Sequence, residues 1–163
     1  MVVLKNILVA TDFSEPSGVA LAYGRDLARS YNARLHVLHI VEDVMMRYSP
    51  EIAFATPDLQ KDLEKRARRD LDALISDDDR KTLDVVPVVQ EGVNVAAGIT
   101  DYAKANAIDI VIVGTHGRGA MKQFLMGSAA ERVVRTAPCP VLVVRAQERE
   151  FIVPDALVTV AKA

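Results

Sequence analysis

Residues Ile108–Ser128 read IDIVIVGTHGRGAMKQFLMGS. A run of Val and Ile, Ile108–Val113, stops abruptly at a glycine-rich stretch, Gly114–Ser128. The run is near-continuous rather than alternating, as expected of a strand buried on both faces of a parallel sheet. Four more runs share that character: Leu4–Ala10, Leu35–Val41, Val85–Val89 and Val141–Val144.

Helical spacings fill the gaps between them. Ala20, Gly24, Leu27, Ala28 and Tyr31 recur every three or four residues after the first run. Asp12 with Glu15, or Ser14 with Pro16 close behind, supplies a helix start. A second helix is expected from near Thr56-Pro57, with Leu59, Leu63, Ala67, Leu71, Leu74 and Ile75 as its apolar stripe. Its other face, KDLEKRARRD, interleaves Arg66, Arg68 and Arg69 with Asp62, Glu64 and Asp70, which reads as a solvated surface. A third helix spans about Val93 to Asn106, with Val95, Ile99, Tyr102 and Ala103 inward. A fourth opens near Gly127-Ser128 and stops before Pro138. The order β-α-β-α-β-α-β-α-β predicts an α/β fold, an open five-stranded parallel sheet with helices on both faces.

The 163 residues suit one domain, expected over residues 1–146. A tail, 147–163, follows, either loosely ordered or an arm that packs on a partner. Val44–Thr56 makes an unusually long connection, a length often found in binding loops. A net charge of -2 and the absence of Trp argue against nucleic-acid binding. No run approaches the roughly 18 apolar residues that span a bilayer, and no export signal is visible. A soluble, cytoplasmic protein is therefore expected. The lone Cys139 has no sequence partner for a disulfide and no cationic neighbour to activate it.

In open parallel sheets, ligands bind beyond the carboxyl ends of the strands where the strand order reverses. Two polar loops occupy such ends, Thr11-Asp12-Phe13-Ser14 and the Gly114–Ser128 stretch. The latter matches neither the lysine-bearing phosphate loop nor the dinucleotide glycine fingerprint. Its own pattern is Gly114-x2-Gly117-x9-Gly127-Ser128. Glycines let backbone N–H groups approach an anion, and a helix start favours negative charge. Arg118 and Lys122 add positive charge. A plain turn with an ordinary helix cap remains the alternative. Asp12 at a loop start also reads as a cap. His36 and His39, three apart on a strand, face opposite sides and cannot share a metal.

Taken together, NILVATDFSE, LHIVE, DIVIVGTHGRG with its glycine pattern, and GSAAERVVRTAPCPVLVV resemble the universal stress protein family from Leu4 to Arg145. The resemblance implies strand order 3-2-1-4-5 and membership of the branch that binds ATP. It implies Asp12 on the ribose hydroxyls, Ala10 and Thr11 along the adenine pocket, and the Ile40 backbone at the adenine edge. Many relatives carry proline where Ala10 stands. Gly114, Gly117, Gly127 and Ser128 would surround the phosphates, with Thr115, His116, Arg118 and Ala129 as neighbours. ATP, or ADP or AMP, is the expected ligand, with Mg2+ or Mn2+ on the phosphates. Relatives typically dimerise through the last strand, here Val141–Arg145, and a homodimer is expected. An unidentified protein partner fits a regulatory role in stress response.

Fast phosphoryl transfer needs charge neutralisation and a positioned nucleophile. The chain lacks a phosphate-loop lysine and a metal-binding Asp at a motif position, so holding ATP is favoured over turning it over. A slow ATPase or autokinase using Ser128 or His116 is the rival, and a nucleotide-independent dimeric scaffold is a third reading. His116 has no carboxylate partner in sequence, which favours positioning over acid–base work.

Overall fold

In chain order the elements are β1 (Asn6–Ala10), α1 (Glu15–Tyr31), β2 (Arg34–Glu42), α2 (Leu59–Leu74), α3 (Asp77–Thr82), β3 (Val85–Gly92), α4 (Val95–Ala105), β4 (Ile110–Gly114), α5 (Ser128–Thr136) and β5 (Val141–Val144). They come from a computed structural model that describes residues 1–43, 58–115 and 126–145. The long connection after β2, the residues from His116 to Leu125 and the tail lie outside the described residues.

All strand pairs are parallel, in the order β3-β2-β1-β4-β5. This is the expected architecture. The chain winds outward from β1 to β3, then crosses back beneath α4 to enter β4 on the other side of β1. Val9 therefore pairs with Val37 of β2 on one edge and Ile112 of β4 on the other.

Burial on both faces explains the unbroken apolar runs. Ile7 and Val9 point into one core, with Ala20, Leu21, Ala28 and Leu71 from α1 and α2. Leu8 points into the other, with Ile99, Ala103 and Val133 from α4 and α5. Alternate residues of one strand thus serve two cores. Gly24 lets α1 lie against the sheet, because a Cβ there would collide with Val9. Tyr31, expected on the inward stripe, is instead 42% exposed, since the helix ends there and the chain turns away at Asn32 in the left-handed region (φ 51°).

Strand ends differ from the apolar runs where polar groups decide them. Asp109 interrupts the Ile108–Val113 run, and its Oδ2 accepts the backbone N–H groups of Lys5 (2.6 Å) and Asn6 (2.8 Å). That clamp starts β1 at Asn6 rather than Leu4, and β4 follows from Ile110. Cys139 is half-buried against the second core, and burial, then Asp109, push its thiol pKa up.

Helix α3 was not expected from apolar spacing, because it has only six residues and no stripe. Ser76 caps it: its hydroxyl accepts from the Asp79 N–H (3.1 Å), and Asp79 Oδ2 accepts from the Ser76 N–H (3.0 Å). The buried Asp79 carboxylate also takes a two-pronged hydrogen bond from Arg25 of α1, at 2.9 Å from Nε and 2.7 Å from Nη2. Arg25 reaches the Leu74 carbonyl at the end of α2 as well (2.9 Å). One guanidinium therefore ties three helices together.

Burial alone would raise the Asp79 pKa. The hydrogen bonds from Arg25 and Ser76 outweigh it and hold the carboxyl below its ordinary value. A depressed folded pKa contributes stability above the unfolded value of about 4, and that contribution is lost as pH falls through the folded value. Asp79→Ala should cost about 2 kcal/mol at neutral pH, because it removes the buried partner of a part-buried guanidinium and the cap of α3. It should also flatten the acid limb of a urea-denaturation series taken from pH 6 to pH 2. Gly114→Ala should destabilise by about 1–3 kcal/mol. Its methyl would sit 2.8 Å from the Pro16 backbone carbon, which has little freedom to move. Thermal unfolding of the purified variant checks it.

Candidate functional site

Strand order reverses between β1 and β4. Connections leave their carboxyl ends toward opposite faces, α1 on one and α5 on the other, so a cleft opens between the two exits. Its volume is about 170 Å³, and it opens to solvent. It brings together Ala10, Thr11 and Asp12 from the β1 exit, Ile40 from β2, and Gly114, Thr115, Gly127, Ser128 and Ala129 from the β4 exit. His116, Gly117 and Arg118 lie outside the described residues.

The β1 exit is held tightly. Thr11 is buried, and its N–H donates to the Leu38 carbonyl (2.9 Å). Its carbonyl accepts from His39 Nδ1 (2.8 Å), which fixes the proton on that nitrogen. Its hydroxyl accepts the Phe13 N–H (3.0 Å) and lies 3.1 Å from the Ser17 hydroxyl. Asp12 Oδ1 accepts from the Ser14 N–H (3.1 Å) and from the Ser14 hydroxyl. Asp12 thus closes an Asx turn and also lines the cleft, while the helix start itself falls to Ser14. Phe13 sits in the left-handed region (φ 64°), and its ring stacks on that of His39 with centroids 4.5 Å apart.

The β4 exit works differently. Thr115 donates its N–H to the Val144 carbonyl of β5 (2.8 Å), and its carbonyl accepts the Gly127 N–H (2.6 Å). The latter bond joins the two ends of the 116–125 segment and sets α5 against the end of β4. The Gly127 N–H is consumed there, which leaves the N–H groups of Ser128, Ala129 and Ala130 in the first turn of α5 as the ones suited to meet an anion. A helix has no preceding carbonyls for these groups. Gly114, expected as a phosphate-side glycine, lines the cleft, and β4 also runs directly against Pro16 there, where a Cβ would not fit.

The floor is apolar. Val95 and Ile99 of α4, Val113 of β4 and Val133 of α5 line it beside Ile40. Gly98 lets α4 press onto Ile40, since a Cβ there would come within 2.8 Å of its Cδ1. In a parallel ladder, alternate residues turn both backbone polar groups to the same neighbour. Leu38 turns its carbonyl to Thr11, so Ile40, two residues on, turns its N–H and C=O the same way. The last β1–β2 pair is Ala10 with Leu38. The Ile40 backbone therefore faces the cleft beyond the end of β1.

Sequence reasoning missed several lining residues: Ser17, Leu38, His39 and the α4 pair. Alternation along the strand says of His39 only that it faces away from His36. Its place beside Ile40, one step past the end of β1 pairing, was the available signal. His36 does face the opposite side, where its Nδ1 lies 2.8 Å from the Tyr102 hydroxyl. Burial, then the Arg34 charge, hold its pKa below the ordinary histidine value against the pull of Asp84. Among the described residues no helix is long and apolar enough to cross a membrane.

Known proteins share this arrangement. The chain is 31% identical over 152 residues to universal stress protein A homolog 1 of Coxiella burnetii, covering 88% of this chain and 98% of that protein. The structure of the universal stress protein UspA from Lactobacillus plantarum superposes with a TM-score of 0.74 at 25% identity, covering 89% of this chain and all of that one. Two more distant structures share the fold. A universal stress protein in complex with cAMP has a TM-score of 0.56 at 20% identity, over 90% of this chain and all of that one. One from Archaeoglobus fulgidus in complex with dAMP has a TM-score of 0.61 at 17% identity, over 88% and 99% of the two chains. The model of the universal stress protein family matches residues 4–145, and with the sheet order and the match to the Coxiella protein it places this chain in that family.

Proposed function

We propose that this protein binds ATP in the β1–β4 cleft and holds it as a regulatory ligand. The observation that carries the reading is the cleft's polarity. One end offers the outward-facing Ile40 backbone over an apolar floor, suited to a flat heterocycle. The other offers the first-turn N–H groups of α5, suited to phosphate. Asp12 lies on the β1 side, where a carboxylate accepts from ribose hydroxyls. The adenine nucleotides bound by two distant members of the family support the base identity. ATP over ADP or AMP rests on the glycine pattern Gly114-x2-Gly117-x9-Gly127-Ser128. Mg2+ or Mn2+ would accompany the phosphates.

The Gly114–Ser128 stretch lacks a phosphate-loop lysine, and neutral backbone donors bind phosphate without supplying the charge that phosphoryl transfer needs. This favours retention over turnover. Homodimer formation through β5 fits its place at the sheet edge, where Val141, Leu142 and Val143 are only partly covered.

Mass spectrometry of small molecules released from purified protein should find an adenine nucleotide, and calorimetry should show ATP binding. Asp12→Ala should weaken ATP binding about tenfold or more, the worth of a hydrogen bond to a charged group. Gly117→Val should weaken it further. Variants that bind as well as the parent would overturn the site. Metal-dependent release of phosphate, abolished in Ser128→Ala, would favour an ATPase. No binding of any adenine nucleotide by the parent would leave a scaffold.

A further inference from the structure

We infer that His39 is a positioning residue for nucleotide binding: through the Thr11 carbonyl and the Phe13 ring it sets the turn that aims the Asp12 carboxylate at the ligand's sugar. The inference rests on the adenine-nucleotide reading of the cleft. His39 stands on β2 next to Ile40, yet its side chain reaches across to the β1 exit. Nδ1–H donates to the Thr11 carbonyl at 2.8 Å. The same ring carries the Phe13 ring at 4.5 Å, tilted by 36°.

Phe13 needs that support. A bulky residue at φ 64° is in a backbone region that side chains other than glycine rarely adopt. Such a conformation persists only when its surroundings over-determine it. Part of that support is packing: Phe13 lies at the edge of the core with α1, and the Thr11 hydroxyl sits 3.1 Å from Ser17 of that helix. The Phe13 N–H is taken by the Thr11 hydroxyl at 3.0 Å, and the Ser14 N–H by Asp12 Oδ1 at 3.1 Å. Both bonds lie within the turn and rotate with it. The Leu38 carbonyl anchors the turn's first amide, the Thr11 N–H. His39 is the side chain from β2 that holds the Thr11–Asp12 peptide plane and the Phe13 ring together, one on each part of the turn around Asp12. Release of the Thr11 carbonyl would let that plane rotate, and the Asp12 side chain rotates with it.

The test separates aim from mere folding. His39→Phe keeps a ring for Phe13 and removes the donor. His39→Asn places an amide N–H near the position of Nδ1. Affinities for ATP and for 2′,3′-dideoxy-ATP are measured by calorimetry on the parent, both single variants and Asp12→Ala. In the parent, ATP should bind about tenfold tighter than the dideoxy analogue. In His39→Phe that preference, the ratio of the two affinities, should shrink to near one, and His39→Asn should restore most of it. Adding His39→Phe to Asp12→Ala should cost little more, because the two act through one contact. Equal losses for both nucleotides, or an unchanged preference, would overturn the inference. Amide hydrogen exchange reads the turn without any ligand. The Phe13 and Ser14 amides should exchange faster in His39→Phe and recover in His39→Asn, and unchanged rates would sink the positioning role. A parent that binds no nucleotide but shows those exchange changes would instead locate the failure in the functional reading.

Discussion

The pairing of β1 with β4 is the contact on which the rest of the molecule depends. Ile7, Leu8 and Val9 align with Ile110, Val111 and Ile112. Their side chains alternate between two cores, so the register cannot slip by one residue without exchanging the contents of both. The pair joins segments about a hundred residues apart in sequence, and Asp109 helps to set its start by holding the amides of Lys5 and Asn6. Because the chain reverses its direction across the sheet at this pair, the two exits diverge. The cleft is a consequence of topology before any lining residue is considered.

Most of that frame was legible in the sequence because burial on both faces leaves an unmistakable pattern. The five apolar runs mark the five strands, and Val141–Val144 even has the observed bounds. The departures share a physical cause: they depend on polar groups that meet only in three dimensions. Asp109 trims two strands through bonds to residues far away in sequence. Helix α3 exists because Ser76 and Asp79 cap each other and Arg25 reaches over from α1. Its sequence trace is a serine three residues before an acid, which is weak without the arginine.

Within the site the same division holds. Asp12, Thr11 and the Gly127-Ser128 helix start were legible as loop chemistry after strands. Their detailed roles were not. Gly114 lies where β4 meets Pro16, and Gly127 spends its N–H on Thr115. Neither fact follows from a spacing rule, since each depends on how two non-adjacent segments approach. His39 was obscured for a related reason. On a strand, alternation assigns a residue to a face, and this residue's face is the one that packs against α1. Only at the strand's end, where β1 has stopped, does that face open into a cleft.

The two halves of the cleft differ in how they meet a ligand, and the difference gives the site a direction. At the β1 exit, the Asp12 carboxyl is held by the Asx turn. At the β4 exit, the first turn of α5 presents N–H groups that have no acceptor among the described residues, and the positive end of a helix dipole. On the proposed reading, a ligand with one anionic end and one neutral polar part would be drawn to the second end. Its charged part would lie at α5, its hydroxyl-bearing part beside the carboxylate, and its aromatic part over the apolar floor by Ile40. Under that reading, two opposed electrostatic ends among the described residues would orient such a ligand. Thr115 completes the arrangement: bonded at once to Gly127 and to Val144, it connects the start of α5 directly to the edge strand β5. The proposed ligand-orienting end and the sheet edge are thus separated by a single residue.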